Sequence, residues 1–196
     1  MIEVERKFII SNGVEKKILQ SCVFLGEKKF TDIYYDDDKY SLTGKDNWLR
    51  SRDNNFEYKI SLKNRNERGN LDQYDEIQDI NKIYECLNIN NTGDFKLDLN
   101  SSGILPFCSI TTTRKKYKND CLSIDIDSMG FGYSIMEIEM MVENETEINS
   151  AKKTIENFIN LIGVSSERPR GKVLEYLKRH IPEHFKALVK AGVEKE

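Results

Sequence analysis

The sequence predicts an α+β domain in which an antiparallel sheet rolls into a barrel, with charges lining its inside and helices packed outside. Three observations carry this reading. Stretch after stretch alternates apolar and polar residues with the two-residue period of a strand, separated by polar turn residues. The charges on these strands are sorted by sign, carboxylate pairs on some and Arg or Lys pairs on others. From Ile148 the apolar period becomes helical. Like charges on neighbouring strands repel, so the sorting suggests an interior with an acidic side and a basic side. Closing the sheet brings the two face to face, and its apolar outer face then needs helices as cover.

The elements follow in order. Met1 to Ile10 reads as a strand with Glu3, Glu5, Lys7 and Ile9 on one face and Ile2, Val4, Arg6, Phe8 and Ile10 on the other. Same-face neighbours lie roughly 7 Å apart, so Glu3 and Glu5 stand side by side. Ser11-Asn12-Gly13 supplies a turn, and Val14, Ile18, Cys22 and Leu25 recur at helical spacing up to Gly26. Phe30 to Asp36 reads as a second strand running into the acidic turn Asp36-Asp37-Asp38. That turn lacks the Gly and distal Glu of an EF-hand loop, and we read it as solvated. Asn47 to Asp53 is a strand with Trp48, Arg50 and Arg52 on one face. Asn54-Asn55 turns it into a partner, where Phe56, Tyr58, Ile60 and Leu62 alternate with Glu57, Lys59, Ser61 and Lys63.

A polar loop, 64–70, leads into a strand from Leu71 to Ile80 that carries Tyr74. Asn81 is a plausible cap for a short helix with Ile83, Cys86 and Leu87. Residues 90–106 are left unassigned, since Leu97 and Leu99 suit strand or helix equally. Phe107 to Lys118, Cys121 to Asp127 and Phe131 to Val142 read as three further strands. They carry Arg114, the pair Asp125/Asp127 and the pair Glu137/Glu139. Ile148 to Gly163, Lys172 to Arg179 and a segment starting at Pro182 read as helices. No repeat or linker divides the chain, so a single domain over 1–196 is expected.

The balance of 30 basic and 33 acidic residues, net −3, excludes a simple cationic nucleic-acid or membrane binder. Cys22, Cys86, Cys108 and Cys121 are scattered and read as reduced thiols. His180 and His184 have helical metal-ligand spacing, but Pro182 lies between them and no third ligand is near; we read two surface histidines. No stretch is apolar enough to span a bilayer, and charges from position 3 argue against a signal peptide. A cytoplasmic monomer without nucleic-acid or membrane partners is the expectation.

Clustered carboxylates lower their mutual repulsion by holding a hard divalent cation such as Mg²⁺ or Mn²⁺. Arg and Lys facing them suit a polyanion with several phosphates. Together they describe a site for a metal-bound oligophosphate. The competing reading, a structural lattice of ion pairs, is disfavoured because burying many charges is costly without a ligand or water.

The opening Glu3-x-Glu5-x-Lys7 resembles the signature of the CYTH superfamily, the triphosphate tunnel metalloenzymes. IEVERKF at 2–8, YYD at 34–36, WLRSR at 48–52, DID then FGY at 125–133, EIE at 137–139 and Lys172 before YLKR at 176–179 resemble its thiamine triphosphatase branch, in order and spacing. The resemblance implies an eight-stranded antiparallel barrel whose tunnel hydrolyses the terminal phosphate of thiamine triphosphate with Mg²⁺. By matching position it implies a metal-binding side of Glu3, Glu5, Asp125, Asp127, Glu137 and Glu139. It implies triphosphate contacts from Lys7, Arg50, Arg52, Lys59, Arg114 and Lys172, and a Trp48 that stacks on the cationic heterocycle. Tyr74 is a second aromatic candidate. Lys59, Glu137 and Glu139 are the catalytic candidates, with Lys59, a carboxylate or a metal orienting the water. Two departures stand out: Met136, where a small residue is usual, implies a locally narrower tunnel, and Asp75 follows Tyr74 where a basic residue is expected. The rivals are an inorganic tripolyphosphatase or nucleoside triphosphatase on the same fold, a less favoured adenylate cyclase, and a non-catalytic polyphosphate-binding module.

Overall fold

The structure, a computed structural model, describes residues 1–10, 13–62, 72–163 and 169–195. Its strands are β1 (Ile2–Phe8), β2 (Val23–Asp36), β3 (Trp48–Arg52), β4 (Asn55–Ser61), β5 (Asp72–Ile77), β6 (Leu105–Asn119), β7 (Leu122–Met129) and β8 (Tyr133–Val142). Its helices are α1 (Val14–Ser21), α2 (Ile80–Leu87), α3 (Phe95–Ser101), α4 (Ile148–Ile162), α5 (Lys172–His180) and α6 (Pro182–Lys190). The strands form a closed antiparallel barrel in the order β1-β5-β4-β3-β2-β6-β7-β8, and β8 pairs back onto β1. The eight-stranded α+β barrel expected from the sequence is therefore present.

The barrel wears its core on the outside. Val4 and Phe8 of β1, Ile124 of β7 and Met136 and Ile138 of β8 pack under Ala151, Ile155, Phe158, Ile159 and Ile162 of α4. Helix α4 ends where its sequence says it should, at Gly163 with φ 61°, whose N–H bonds to the Ile159 carbonyl. Met136, expected to narrow the tunnel, faces this outer core and is fully buried there. Its own strand phase requires that, because Glu137 beside it points inward. Asp75 likewise points outward, near the amino terminus.

Several boundaries differ from the sequence reading, each for a physical reason. The helical spacing that included Cys22 and Leu25 ends at Ser21, because residues from Val23 onward pair in register with Lys118 and its neighbours in β6. The β3–β4 turn is Asp53-Asn54, both at positive φ as a two-residue hairpin demands, so Asn55 already belongs to β4. Asp79, not Asn81, caps α2; its carboxylate accepts from the N–H groups of Asn81 and Lys82. Residues 90–106 contain α3, capped by Asp94, and the start of β6. The expected turn at Ser11-Asn12, Lys63, the loop 64–70 and Leu71 lie outside the described residues.

Asp36 and His184 are not surface groups. The Asp36 carboxylate accepts from the N–H groups of Leu42 (3.0 Å) and Thr43 (2.8 Å) and from the Thr43 hydroxyl (2.5 Å). The same hydroxyl lies 2.8 Å from Nε2 of His184, whose ring stacks on Tyr40 with centroids 3.9 Å apart. Burial pushes the pKa of His184 down, which suits a neutral imidazole. The network ties the turn before β3 to α6, and that turn ends at the tunnel wall. His180 stays exposed, as expected.

Candidate active site

The two-residue period aims one face of each strand into the tunnel, and the strand order decides which faces meet. β7, β8 and β1 are consecutive in the ring, so Asp125/Asp127, Glu137/Glu139 and Glu3/Glu5 form one acidic arc. β3, with Trp48, Arg50 and Arg52, lies four strands from β8 in either direction and so faces it across the tunnel. The register sharpens the acidic arc: Glu5 stands opposite Glu139, and Asp125 opposite Glu137. Like charges in such cross-strand positions destabilise a sheet unless something lies between them.

Oxygens of Glu3, Glu5 and Glu139 lie within 4.8 Å of one another. Burial, then the charges of Glu3 and Asp125, push Glu139 well above the ordinary carboxylate range. Burial also raises Glu5, against the pull of Lys7. Three converging carboxylates, with Glu5 and Glu139 pushed toward the neutral form, are a donor set of the kind a hard dication takes. The other half of the arc is arranged differently. Arg114 forks onto Asp127 with two 2.6 Å bonds, touches Asp125, and reaches Glu137 at 3.2 Å. Glu137 also sits across from Lys7. Burial alone would raise Glu137, but Lys7 and Arg114 outweigh it and hold its pKa low, at about 2.

The basic arc is not purely basic. Asp32 on β2 is fully buried and gathers Arg52 (2.7 and 2.9 Å), Lys172 (2.7 Å) and Arg50 (3.6 Å). Arg50 also pairs with Glu57 at 2.6 Å. Lys59 touches Glu3 and bonds Glu76 at 2.6 Å, and Lys7 touches Glu5 and bonds Asp72 at 3.0 Å. Burial opposes charge on Lys7 and Lys59, yet these carboxylates hold both ammonium groups well above their ordinary pKa. The Phe30 ring lies among the cations, 3.7 Å from the Arg52 guanidinium carbon and within 5.6 Å of Arg114 and Lys172.

Every expected site residue thus lies on the tunnel face, but Arg114 sits within the acidic arc rather than opposite it. Of its neighbours, Lys116 points inward and Lys115 outward to Glu15. The sequence reading missed Asp32, Asp46, Glu57, Asp72 and Glu76. The available signal was phase: Asp32 shares a face with Phe30 and Tyr34, and Asp72 and Glu76 share one with Tyr74.

One cavity joins these parts, lined among others by Glu5, Lys7, Arg50, Lys59, Glu137 and Lys172. Its aromatic side is formed by Trp48, Tyr34 and Tyr74 with Val173 and Leu174 of α5.

Asp32 carries a stability prediction. Burial would raise its pKa, but Lys172, Arg52 and Arg50 hold it well below the usual carboxylate range. Its contribution is therefore complete above the unfolded value of 3.8 and lost as pH falls through the lower folded one. Asp32→Asn should melt several degrees below wild type at pH 7, by roughly 2–4 °C per kcal/mol lost. The deficit should shrink on acidification below about pH 4; a deficit independent of pH would assign the loss to packing.

A closed eight-stranded barrel with a carboxylate arc facing Arg and Lys across a central cavity defines a tunnel protein equipped for a multiply charged anion together with a dication. The chain belongs to the CYTH domain family, which matches residues 1–171. It is 28% identical over 217 residues to the thiamine-triphosphatases of Homo sapiens and Macaca fascicularis, covering all of this chain and 93% of each relative. Its fold is similar to the PH1819 protein of Pyrococcus horikoshii OT3, with a TM-score of 0.65 at 23% identity, covering 91% of this chain and 99% of that one.

Proposed function

We propose that this chain, acting as one domain, is a Mg²⁺-dependent hydrolase that removes the terminal phosphate of thiamine triphosphate. The observation that carries the reading is the cavity itself, which presents Glu5 and Glu137 of the acidic arc, fixed cations and an aromatic wall to one ligand. The full-length similarity to thiamine-triphosphatases supports the substrate. Among the described residues, no helix is long and apolar enough to cross a membrane. Four free cysteines suit a reducing compartment such as the cytoplasm.

In this reading Glu3, Glu5 and Glu139 hold Mg²⁺, with Mn²⁺ as a substitute, and Asp125, Asp127 and Glu137 complete the acidic arc. When bound there, Mg²⁺ would supply neutralisation of the charge that develops on the transferred phosphoryl group. Lys7, Arg50, Arg52, Lys59 and Lys172 grip the phosphate oxygens and keep the chain of phosphorus atoms in line. Arg114 holds Asp125, Asp127 and Glu137 in place and, with Lys7, keeps Glu137 ionised. Lys59 stays protonated, so it serves as a donor to phosphate oxygen rather than as the base. Water attacks the terminal phosphorus, the bond to the bridging oxygen breaks, and thiamine diphosphate leaves as the anion; no covalent intermediate is required. Trp48 offers its face to the thiamine rings.

Phosphate release from thiamine triphosphate, tripolyphosphate and ATP, each with and without Mg²⁺, tests the proposal. A clear preference for thiamine triphosphate is expected. Trp48→Ala should then lower kcat/KM for that substrate about tenfold or more while sparing tripolyphosphate, as loss of a desolvated cation–π contact predicts. Preference for tripolyphosphate by the wild type would move the protein to the inorganic branch. Silence on all three substrates would leave a binding module.

A further inference from the structure

Two lysines stand between the acidic cluster and β5. The Nζ atom of Lys59 touches Glu3 and bonds Glu76 at 2.6 Å. That of Lys7 touches Glu5 and bonds Asp72 at 3.0 Å. The strand register explains both bridges. Glu76 is the cross-strand partner of Lys59, and Asp72 is the cross-strand partner of Glu5. Asp72 and Glu76 face inward with Tyr74, since they share its phase on β5. Each lysine is therefore shared between a carboxylate of the Glu3–Glu5–Glu139 group and a carboxylate outside it. From the exposed side Lys116 reaches Glu139 at 3.9 Å. Among the described residues, every side-chain cation on this group is thus a lysine. Arg50, Arg52 and Arg114 bind Asp32, Glu57, Asp125, Asp127 and Glu137 instead. The division matters chemically. A lysine ammonium is a compact charge on a flexible stem and can pass from one oxygen to another, whereas an arginine fork is fixed by its paired bonds.

Resting on the metal site proposed above, we infer that Lys7 and Lys59 are exchangeable counter-ions of that site, and that Asp72 and Glu76 are positioning residues that retain them when a dication takes their place. An ammonium and a dication on one carboxylate repel each other strongly in a buried site. Lys59 therefore leaves Glu3, and Lys7 leaves Glu5, as those oxygens take the metal. Glu76 and Asp72 stay bonded to them, so neither ammonium is left buried without a partner, which would be costly. Both lysines line the cavity, where each displaced ammonium is within reach of a phosphate oxygen. Displacement opposes metal binding by itself and ceases to oppose it once phosphate takes up the lysines. A dication arriving alone is held weakly, and metal and triphosphate each strengthen the binding of the other, reciprocally.

Mn²⁺ is the probe that tests this, in phosphate-free buffer, its binding followed by loss of the free ion's electron paramagnetic resonance signal. The double variant Lys59→Met/Glu76→Gln deletes one positive and one negative charge, so the net charge of the tunnel is kept while Glu3 loses its lysine. Its Kd for Mn²⁺ should be about tenfold lower than that of the wild type, within the range of ordinary coupling energies. Its Kd for tripolyphosphate, measured by calorimetry in EDTA, should rise about tenfold, because one grip on phosphate is gone. Lys59→Arg keeps the charge and guards against a double variant that fails to fold. Its fork is displaced less readily, so Mn²⁺ binding should weaken several-fold. A double variant that binds Mn²⁺ no more tightly than the wild type would overturn the inference, as would one whose tripolyphosphate affinity is unchanged. Wild-type Mn²⁺ affinity in Lys59→Arg would overturn it too. Failure of the wild type and the variants alike to bind Mn²⁺ would instead bring down the proposed metal site, and the inference with it.

Discussion

Glu139→Gln should lose about 10²–10³-fold in Mg²⁺-supported phosphate release, the scale seen when one preorganised electrostatic group is deleted from a site. The same variant should melt higher than the wild type in the absence of metal. Both follow from its position opposite Glu5 and beside Glu3. In the folded protein burial and like charges push its pKa up from 4.5, so the unfolded chain releases a proton that the native state retains. Stability of the wild type must then decline as pH rises above 4.5, and glutamine removes that decline. The advantage of the variant should be absent near pH 4.5 and grow to roughly 2–4 °C or more by neutral pH, the shift that about 1 kcal/mol produces in a domain of this size. Differential scanning fluorimetry across pH, beside the phosphate assay, measures both. Full activity would remove Glu139 from the site, and a lower melting point would show that its charge is not opposed by its neighbours.

Arg114→Ala should be the most destabilising single change in the tunnel. The guanidinium serves Asp125, Asp127 and Glu137 at once, and both aspartate side chains are fully buried. Removing one member of a buried ion pair typically costs about 3–5 kcal/mol, because the partner charge is left without compensation. Combining it with Asp125→Asn and Asp127→Asn should recover a large part of the loss, since those carboxylates no longer need a counter-ion. A double-mutant cycle by chemical denaturation reads the coupling. Additive losses across the cycle would mean that the fork is held by packing and not by charge.

The paired charges were legible because a closed barrel leaves the strand no choice: every second residue faces the interior, so Glu3/Glu5, Arg50/Arg52, Asp125/Asp127 and Glu137/Glu139 announce their direction. Met136 shows the same rule misapplied, since its phase alone sends it to the outer core. Asp32 was harder to see because it is a single acid among aromatic residues and forms no pair. Asp46 lies in a turn, where no period operates. Residues 23–25 were obscured by local spacing that suits a helix, which the long pairing with β6 overrides. The short helix α3 offers one capping aspartate and few inward residues, too little pattern to separate helix from strand.

Closure of the ring has a consequence for how the protein comes into being. Of the eight strands, β1 is the first to leave the ribosome and its partner β8 the last. Contacts so distant along the chain are slow to form, since a long loop must be closed before any bond rewards it. Arg50, Arg52 and Lys59 can be set in place by the local β3–β4 hairpin long before that event. The grouping of Glu3 and Glu5 with Glu139 exists only once the ends have met. A nascent or misassembled chain therefore displays the basic hairpin without the acidic cluster, and completion of the fold and acquisition of the full charge arrangement are one and the same step.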